Sequence, residues 1–204
     1  MISYQIKKGI NGIPNIPGDK SISHRSIIIP SISNGICEIN NILKSDDVLH
    51  TLNAFKLMGV KIEENNKNLI IYGKGLNSLK KSTNEIYLGN SGTSARLLTG
   101  LLAAQNFNSI LTGDSSLSKR PMKRISEPLV KMNAIIETTN GNLPITIHKS
   151  NLEAKKIELE IPSAQIKSGL MLASLNIPGE TVIIENKVTR DHTEIMLQAF
   201  GADI

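Results

Sequence analysis

Apolar positions along this chain alternate between a helical and a strand period, and the alternation itself repeats. The segments Gly18-Asp19-Lys20-Ser21-Ile22-Ser23-His24-Arg25, Gly89-Asn90-Ser91-Gly92-Thr93-Ser94-Ala95-Arg96 and Pro162-Ser163-Ala164-Gln165-Ile166-Lys167-Ser168-Gly169 each open an apolar run of helical length. Their starts lie 71 and 73 residues apart. Each run ends in a turn signal (Ser33-Asn34-Gly35, Gln105-Asn106-Phe107-Asn108, Asn176-Ile177-Pro178-Gly179) and passes into a β-rich stretch (Ile36-Cys37-Glu38-Ile39, Ser109-Ile110-Leu111-Thr112, Thr181-Val182-Ile183-Ile184).

The second half of the unit recurs too. Ser45-Asp46-Asp47, Ser118-Lys119-Arg120 and Thr189-Arg190-Asp191 each start an amphipathic pattern, 73 and 71 residues apart. These helices should end near Met58-Gly59, Met132-Asn133 and Phe200-Gly201, where Gly or Asn suits a left-handed C-terminal cap. Two units then close with hairpins. Val60-Lys61-Ile62-Glu63 turns through Asn65-Asn66-Lys67 into Leu69-Ile70-Ile71-Tyr72, and Ala134-Ile135-Ile136-Glu137 turns through Asn140-Gly141 into Ile145-Thr146-Ile147. The pattern predicts an α/β fold of three β-α-β-α-β-β repeats, the third truncated inside its hairpin at Ala202-Asp203-Ile204. A truncated unit leaves an unpaired strand edge, so a longer protein is expected.

Composition narrows the function classes. In 204 residues, 40% hydrophobic and 20% charged, no apolar run approaches the roughly 20 residues of a membrane span. The N-terminal residues lack the apolar core of a secretory signal, and a lone Cys37 fits a reducing compartment, so the expected location is the cytoplasm. A net charge of +5 suits an anionic partner. With no Trp, three Phe and three Tyr, the chain is poorly equipped to stack bases, which favours small phosphorylated ligands over nucleic acid.

Helix starts rich in small residues are anion sites, because free N–H groups and the helix dipole both favour negative charge there. Every helix also needs a cap, so loop chemistry alone does not decide. The cations do more. Lys20, Arg25, Arg96, Arg120, Lys167 and Arg190 fall at or just behind equivalent repeat positions, which would gather them at one end of the domain. Arg25 and Arg96 precede Ile27-Ile28-Ile29 and Leu97-Leu98, where a guanidinium without a partner is costly. His24 reads as a helix-surface residue, and His50, His148 and His192 show no metal-ligand spacing. Asp46-Asp47 suits either an acidic helix start or an acid–base pair, and Cys37 reads as core.

These segments, together with Lys119-Arg120-Pro121-Met122 and Thr189-Arg190-Asp191-His192-Thr193-Glu194, resemble the signatures of the 5-enolpyruvylshikimate-3-phosphate (EPSP) synthase family, in order from about residue 13 onward. The resemblance implies an enolpyruvyl transferase domain covering 13–204, an N-terminal strand at 1–12 that pairs with a second domain, and absence of that second domain here. It implies shikimate 3-phosphate contacts from Ser21, Arg25, Ser163, Ala164, Gln165 and Arg190. Lys20, Asn90, Gly92, Thr93, Arg120 and Gln165 would surround phosphoenolpyruvate, or the herbicide glyphosate in its place, with Arg96 beside them. Lys20 and Arg120 take the catalytic role of facing the anionic intermediate. Many relatives carry a second Ser where this chain has Ala164, so one hydroxyl contact is lost. The family uses no metal and no cofactor, and its acid and base carboxylates lie in the other domain. The sister transferase acting on UDP-N-acetylglucosamine is the nearest rival. It usually bears a cysteine just before the Arg-Pro element, and none stands in Thr112–Lys119. A phosphometabolite binder without catalysis is the remaining alternative.

Overall fold

A computed structural model describes residues 12–14, 16–65 and 68–204. The expected strand at 1–12, except its last residue, lies outside them, as do Asn66 and Lys67 of the first hairpin turn. The first repeat supplies helix α1 (Lys20–Ile32), strand β1 (Asn34–Asn40), helix α2 (Asp46–Leu57) and strands β2 (Lys61–Glu64) and β3 (Asn68–Lys74). The second supplies β4 (Ile86–Tyr87), α3 (Gly92–Ala103), β5 (Ser109–Thr112), α4 (Lys123–Lys131), β6 (Ile135–Thr139) and β7 (Asn142–His148). The third supplies β8 (Lys156–Leu159), α5 (Ala164–Ser174), β9 (Val182–Glu185) and α6 (His192–Ala199).

Sheet topology shows the repeat directly. In the order β4-β5-β7-β6, a helical crossover makes β4 and β5 parallel, and the β6/β7 hairpin then returns its second strand antiparallel beside β5. The order β1-β3-β2 is the same plan, with β1 against β3. Strands β8 and β9 form the parallel pair of the third unit. Left-handed residues stand at the expected helix ends: Gly59 at φ 85°, Asn133 at φ 70° and Gly201 at φ 84°.

The first helix of each repeat lies innermost. Nine of the 13 residues of α1 are buried, so it has no solvent face of any width. Helices α3 and α5 approach until their backbones touch at Gly100 and Gly169. A β-carbon on Gly100 would overlap the Gly169 carbonyl oxygen, and one on Gly169 would stand 2.8 Å from the Arg96 carbonyl oxygen. Leu97, Leu98, Leu101, Leu102 and Leu170 fill the surroundings without exposure.

Three local expectations are corrected. His24 is fully buried, since α1 packs against α2 and α3 where a surface residue was expected. Cys37 is only half-buried, because β1 is an edge strand among the described residues. The pattern at Ser118-Lys119-Arg120 does not start the α-helix of unit two. Leu117–Lys119 makes one 3-10 turn, Arg120 is extended at φ −84°, ψ 135°, and α4 begins at Lys123. Pro121 is the cause, since its ring disfavours helical backbone at the preceding residue.

Candidate functional site

The N-terminal ends of α1, α3 and α5 converge on one cleft. Asp19 caps α1 by accepting from the Ile22 N–H at 2.8 Å, and Ser91 caps α3 by accepting from the Ser94 N–H at 3.2 Å. Ser163 is the N-cap residue of α5. Between them opens a cavity of about 760 Å³, lined from α1 by Lys20, Ser21 and Arg25, from α3 and its lead-in by Asn90, Gly92, Thr93 and Arg96, and from α5 by Ser163, Ala164 and Gln165. Arg120 and Arg190 close the ring, so every residue to which the family resemblance assigned a substrate contact lines this one cleft.

Most of these side chains are already oriented. Gln165 Nε2 donates to Thr93 Oγ1 at 3.0 Å, tying α5 to α3. Arg120 donates to the Asn90 side-chain oxygen, and Asn90 donates to Asp114 at 3.1 Å. The other Asp114 oxygen accepts the Ser116 and Leu117 N–H groups at 3.0 and 2.7 Å, which shapes the loop leading to Arg120. Arg96 donates to the Gly92 and Pro121 carbonyls at 3.0 and 3.1 Å. Gly92 has a spatial reason to be glycine: a β-carbon there would stand 2.8 Å from Arg96 Nη1 and 3.1 Å from Arg120 Nη1.

The charge is one-sided. Six cations line the cleft against the carboxylates of Asp19 and Asp47. Lys20 pairs with Asp47. Among the described residues, no ion pair involves Arg25, Arg96, Arg120, Arg124 or Arg190. Burial, then the Arg190 charge, lowers the pKa of Arg25 despite Glu194 and Asp19. Burial, then Arg120 and Arg124, lowers that of Arg96. A guanidinium does not lose its proton in a protein, so both shifts register burial first and the nearness of other cations second.

Sequence reasoning placed Lys167 with these cations, and the structure removes it. Its ammonium is buried between Glu185 at 2.7 Å and Glu194 at 2.6 Å, away from the cleft. Glu185 also accepts from the Thr189 N–H and hydroxyl at 3.1 and 2.7 Å, so the triad braces the loop that presents Arg190. Asp47, weighed with Asp46 as helix start or acid–base group, lies in the first turn of α2 and holds Lys20 in the cleft wall. Arg124 was missed, although it stands four residues after Arg120 in the same basic stretch.

Behind the cleft, His24 Nδ1 lies 2.7 Å from Thr51 Oγ1, which lies 2.5 Å from Ser94 Oγ, itself 2.6 Å from the Ser91 cap. His24 Nε2 is buried and has no hydrogen-bond partner among the described residues. Burial pushes its pKa down to about 4, so the ring is neutral at pH 7.

A sequence model of EPSP synthase (3-phosphoshikimate 1-carboxyvinyltransferase) matches residues 4–204. Among curated relatives, the 3-phosphoshikimate 1-carboxyvinyltransferase of Vesicomyosocius okutanii is 56% identical over 188 residues, covering 91% of this chain and 43% of that protein. That of Ruthia magnifica is 54% identical, covering 96% of this chain and 45% of that one. The solved EPSP synthase of Acinetobacter baumannii superposes with a TM-score of 0.91 at 49% identity, covering 94% of this chain and 44% of that chain. The chain thus spans about half the length of the curated relatives it matches. With the repeat, the three converging helix starts and these matches in agreement, the chain belongs to the EPSP synthase (3-phosphoshikimate 1-carboxyvinyltransferase) family.

Proposed function

We propose that residues 13–204 form the first domain, and so half the active cleft, of a cytoplasmic enzyme that transfers the enolpyruvyl group of phosphoenolpyruvate to the 5-hydroxyl of shikimate 3-phosphate. In this reading residues 1–12 pair with a second domain that completes the site. Ser21, Arg25, Ser163, Ala164, Gln165 and Arg190 hold shikimate 3-phosphate. Lys20, Asn90, Gly92, Thr93, Arg120 and Gln165 hold phosphoenolpyruvate. The strongest support is the set of five cleft guanidiniums with no carboxylate partner among the described residues, four of them, Arg25, Arg96, Arg120 and Arg190, in segments that resemble the family's signatures.

The hydroxyl adds to C2 of phosphoenolpyruvate while C3 gains a proton, and elimination then releases phosphate. Both substrates and the intermediate between them carry several negative charges. Cations fixed before the reaction stabilise that charge without reorganising. Arg120 is pre-aimed through Asn90 and Asp114, and Lys20 through Asp47. Proton transfer falls to carboxylates of the second domain, so this chain positions and neutralises but does not complete the cycle.

Phosphate release is the direct test. The chain alone, given both substrates, should release none, and adding the C-terminal half of a relative should restore turnover. Steady release by the chain alone would overturn the half-site reading. Binding of shikimate 3-phosphate with no turnover in the presence of the C-terminal half would instead make this chain a binder without catalysis.

A further inference from the structure

Arg25 comes from α1, yet much of what holds it comes from the third repeat. Its Nε donates to Thr193 Oγ1 at 2.6 Å and its Nη2 donates to Ser168 Oγ at 2.7 Å. Its Nη1 donates to the carbonyl and hydroxyl oxygens of Ser21 at 2.9 and 2.8 Å. Thr193 and Ser168 are 1% and 0% exposed, and neither lines the cleft.

The protons of this seat are all accounted for. Ser168 Oγ donates to the Ala164 carbonyl at 2.6 Å. Thr193 Oγ1, 2.6 Å from Ser168 Oγ, then donates to Ser168, and both oxygens keep lone pairs for Arg25. A directed chain runs from Arg25 through Thr193 and Ser168 to Ala164, the first residue of α5. Four of the five guanidinium N–H groups are engaged, which leaves one on Nη2. Ser21, used by Arg25 as an acceptor, keeps its own proton to donate.

Every acceptor in the seat is neutral. A carboxylate in the same place would fix Arg25 equally well but cancel its charge. Glu194, next to Thr193 in sequence, is drawn away by Lys167 at 2.6 Å. We propose that Thr193 and Ser168 are positioning residues that fix Arg25 in the cleft wall as an un-neutralised cation and thereby set the affinity for the anionic acceptor. The proposal rests on the reading of the cleft as a shikimate 3-phosphate site.

The test is calorimetric titration of shikimate 3-phosphate onto this chain and its variants. Thr193→Val keeps the β-branched shape and removes the acceptor, and should weaken binding about tenfold, the size of one charge-assisted hydrogen bond. Thr193→Ser should stay within about twofold. On an Arg25→Ala background, Thr193→Val should cost nothing further, because the residue it positions is gone. An equal loss in both backgrounds, or no loss in either, overturns the proposal. If Thr193→Val does not fold, Ser168→Ala replaces it in the same cycle. Failure of the unmodified chain to bind would sink the functional reading, and the seat is then read from the Arg25 Nε proton by NMR. Protection from exchange in the unmodified chain and Thr193→Ser, lost in Thr193→Val, supports the seat. Equal exchange in all three removes it.

Discussion

Gly92 sits where two guanidinium groups crowd, and its missing side chain is what lets them approach. A methyl group there meets Arg96 Nη1 at 2.8 Å and Arg120 Nη1 at 3.1 Å, so Gly92→Ala must displace the ends of both side chains. In the chain completed by a C-terminal half, Gly92→Ala should weaken inhibition by glyphosate more than binding of phosphoenolpyruvate, since the inhibitor is the longer molecule. Equal inhibition and KM changes would place the effect in the backbone instead. His24 carries a second residue-scale consequence. Its folded pKa of about 4 lies below the ordinary value of 6.5, so the unfolded chain takes up a proton that the folded chain refuses. The stabilisation is complete above pH 6.5 and is lost as pH falls toward 4. Urea unfolding at pH 7.0, 5.5 and 4.0 should show a His24-dependent loss of roughly 3 kcal/mol, absent from His24→Asn. A pH profile unchanged by that substitution would mean the ring is not held neutral.

At the scale of elements, the cleft depends on how near α3 and α5 can come. Intrinsic propensity favours Ala over Gly inside a helix by about 1 kcal/mol. Contact argues the other way at Gly100, where a β-carbon overlaps the Gly169 carbonyl oxygen. Overpacking costs typically 1–3 kcal/mol, so Gly100→Ala should destabilise by about 2 kcal/mol and loosen the Gln165–Thr93 bond at the cleft. A raised thermal midpoint would refute the close crossing. Periodicity made the helices, the hairpins and their caps at Gly59, Asn133 and Gly201 legible in the sequence, because local pattern and local turn chemistry determine them. What escaped it was tertiary. Lys167 and Arg25 occupy similar places in their repeats, yet carboxylates from β9 and α6 claim the first while hydroxyls hold the second. His24 looked like a surface residue because nothing local says that α1 is enclosed. Pro121 was readable as a helix breaker, and with it the extended Arg120, had its effect on the preceding residue been weighed.

Three copies of one unit place three helix starts around a single opening, where, among the described residues, six cations face the two carboxylates of Asp19 and Asp47. Such a field attracts anions, but an open cleft leaves water and salt between the charges. The Debye length is about 10 Å at 0.1 M salt and about 3 Å at 1 M, so contacts across the mouth of the opening are screened progressively. Enclosure by a second domain would exclude that water and strengthen each contact. Shikimate 3-phosphate should therefore bind the chain alone with an affinity that falls at least roughly tenfold between 0.05 and 0.5 M salt. Arg190→Ala should flatten the dependence, since Arg190 is exposed at the rim and has no carboxylate partner among the described residues. Addition of the C-terminal half of a relative should flatten it too, but by raising the affinity at high salt rather than lowering it at low salt. Calorimetry across a salt series separates the two patterns. An affinity for the chain alone that ignores salt would mean that shape and neutral hydrogen bonds hold the ligand, and that the gathering of cations serves something else.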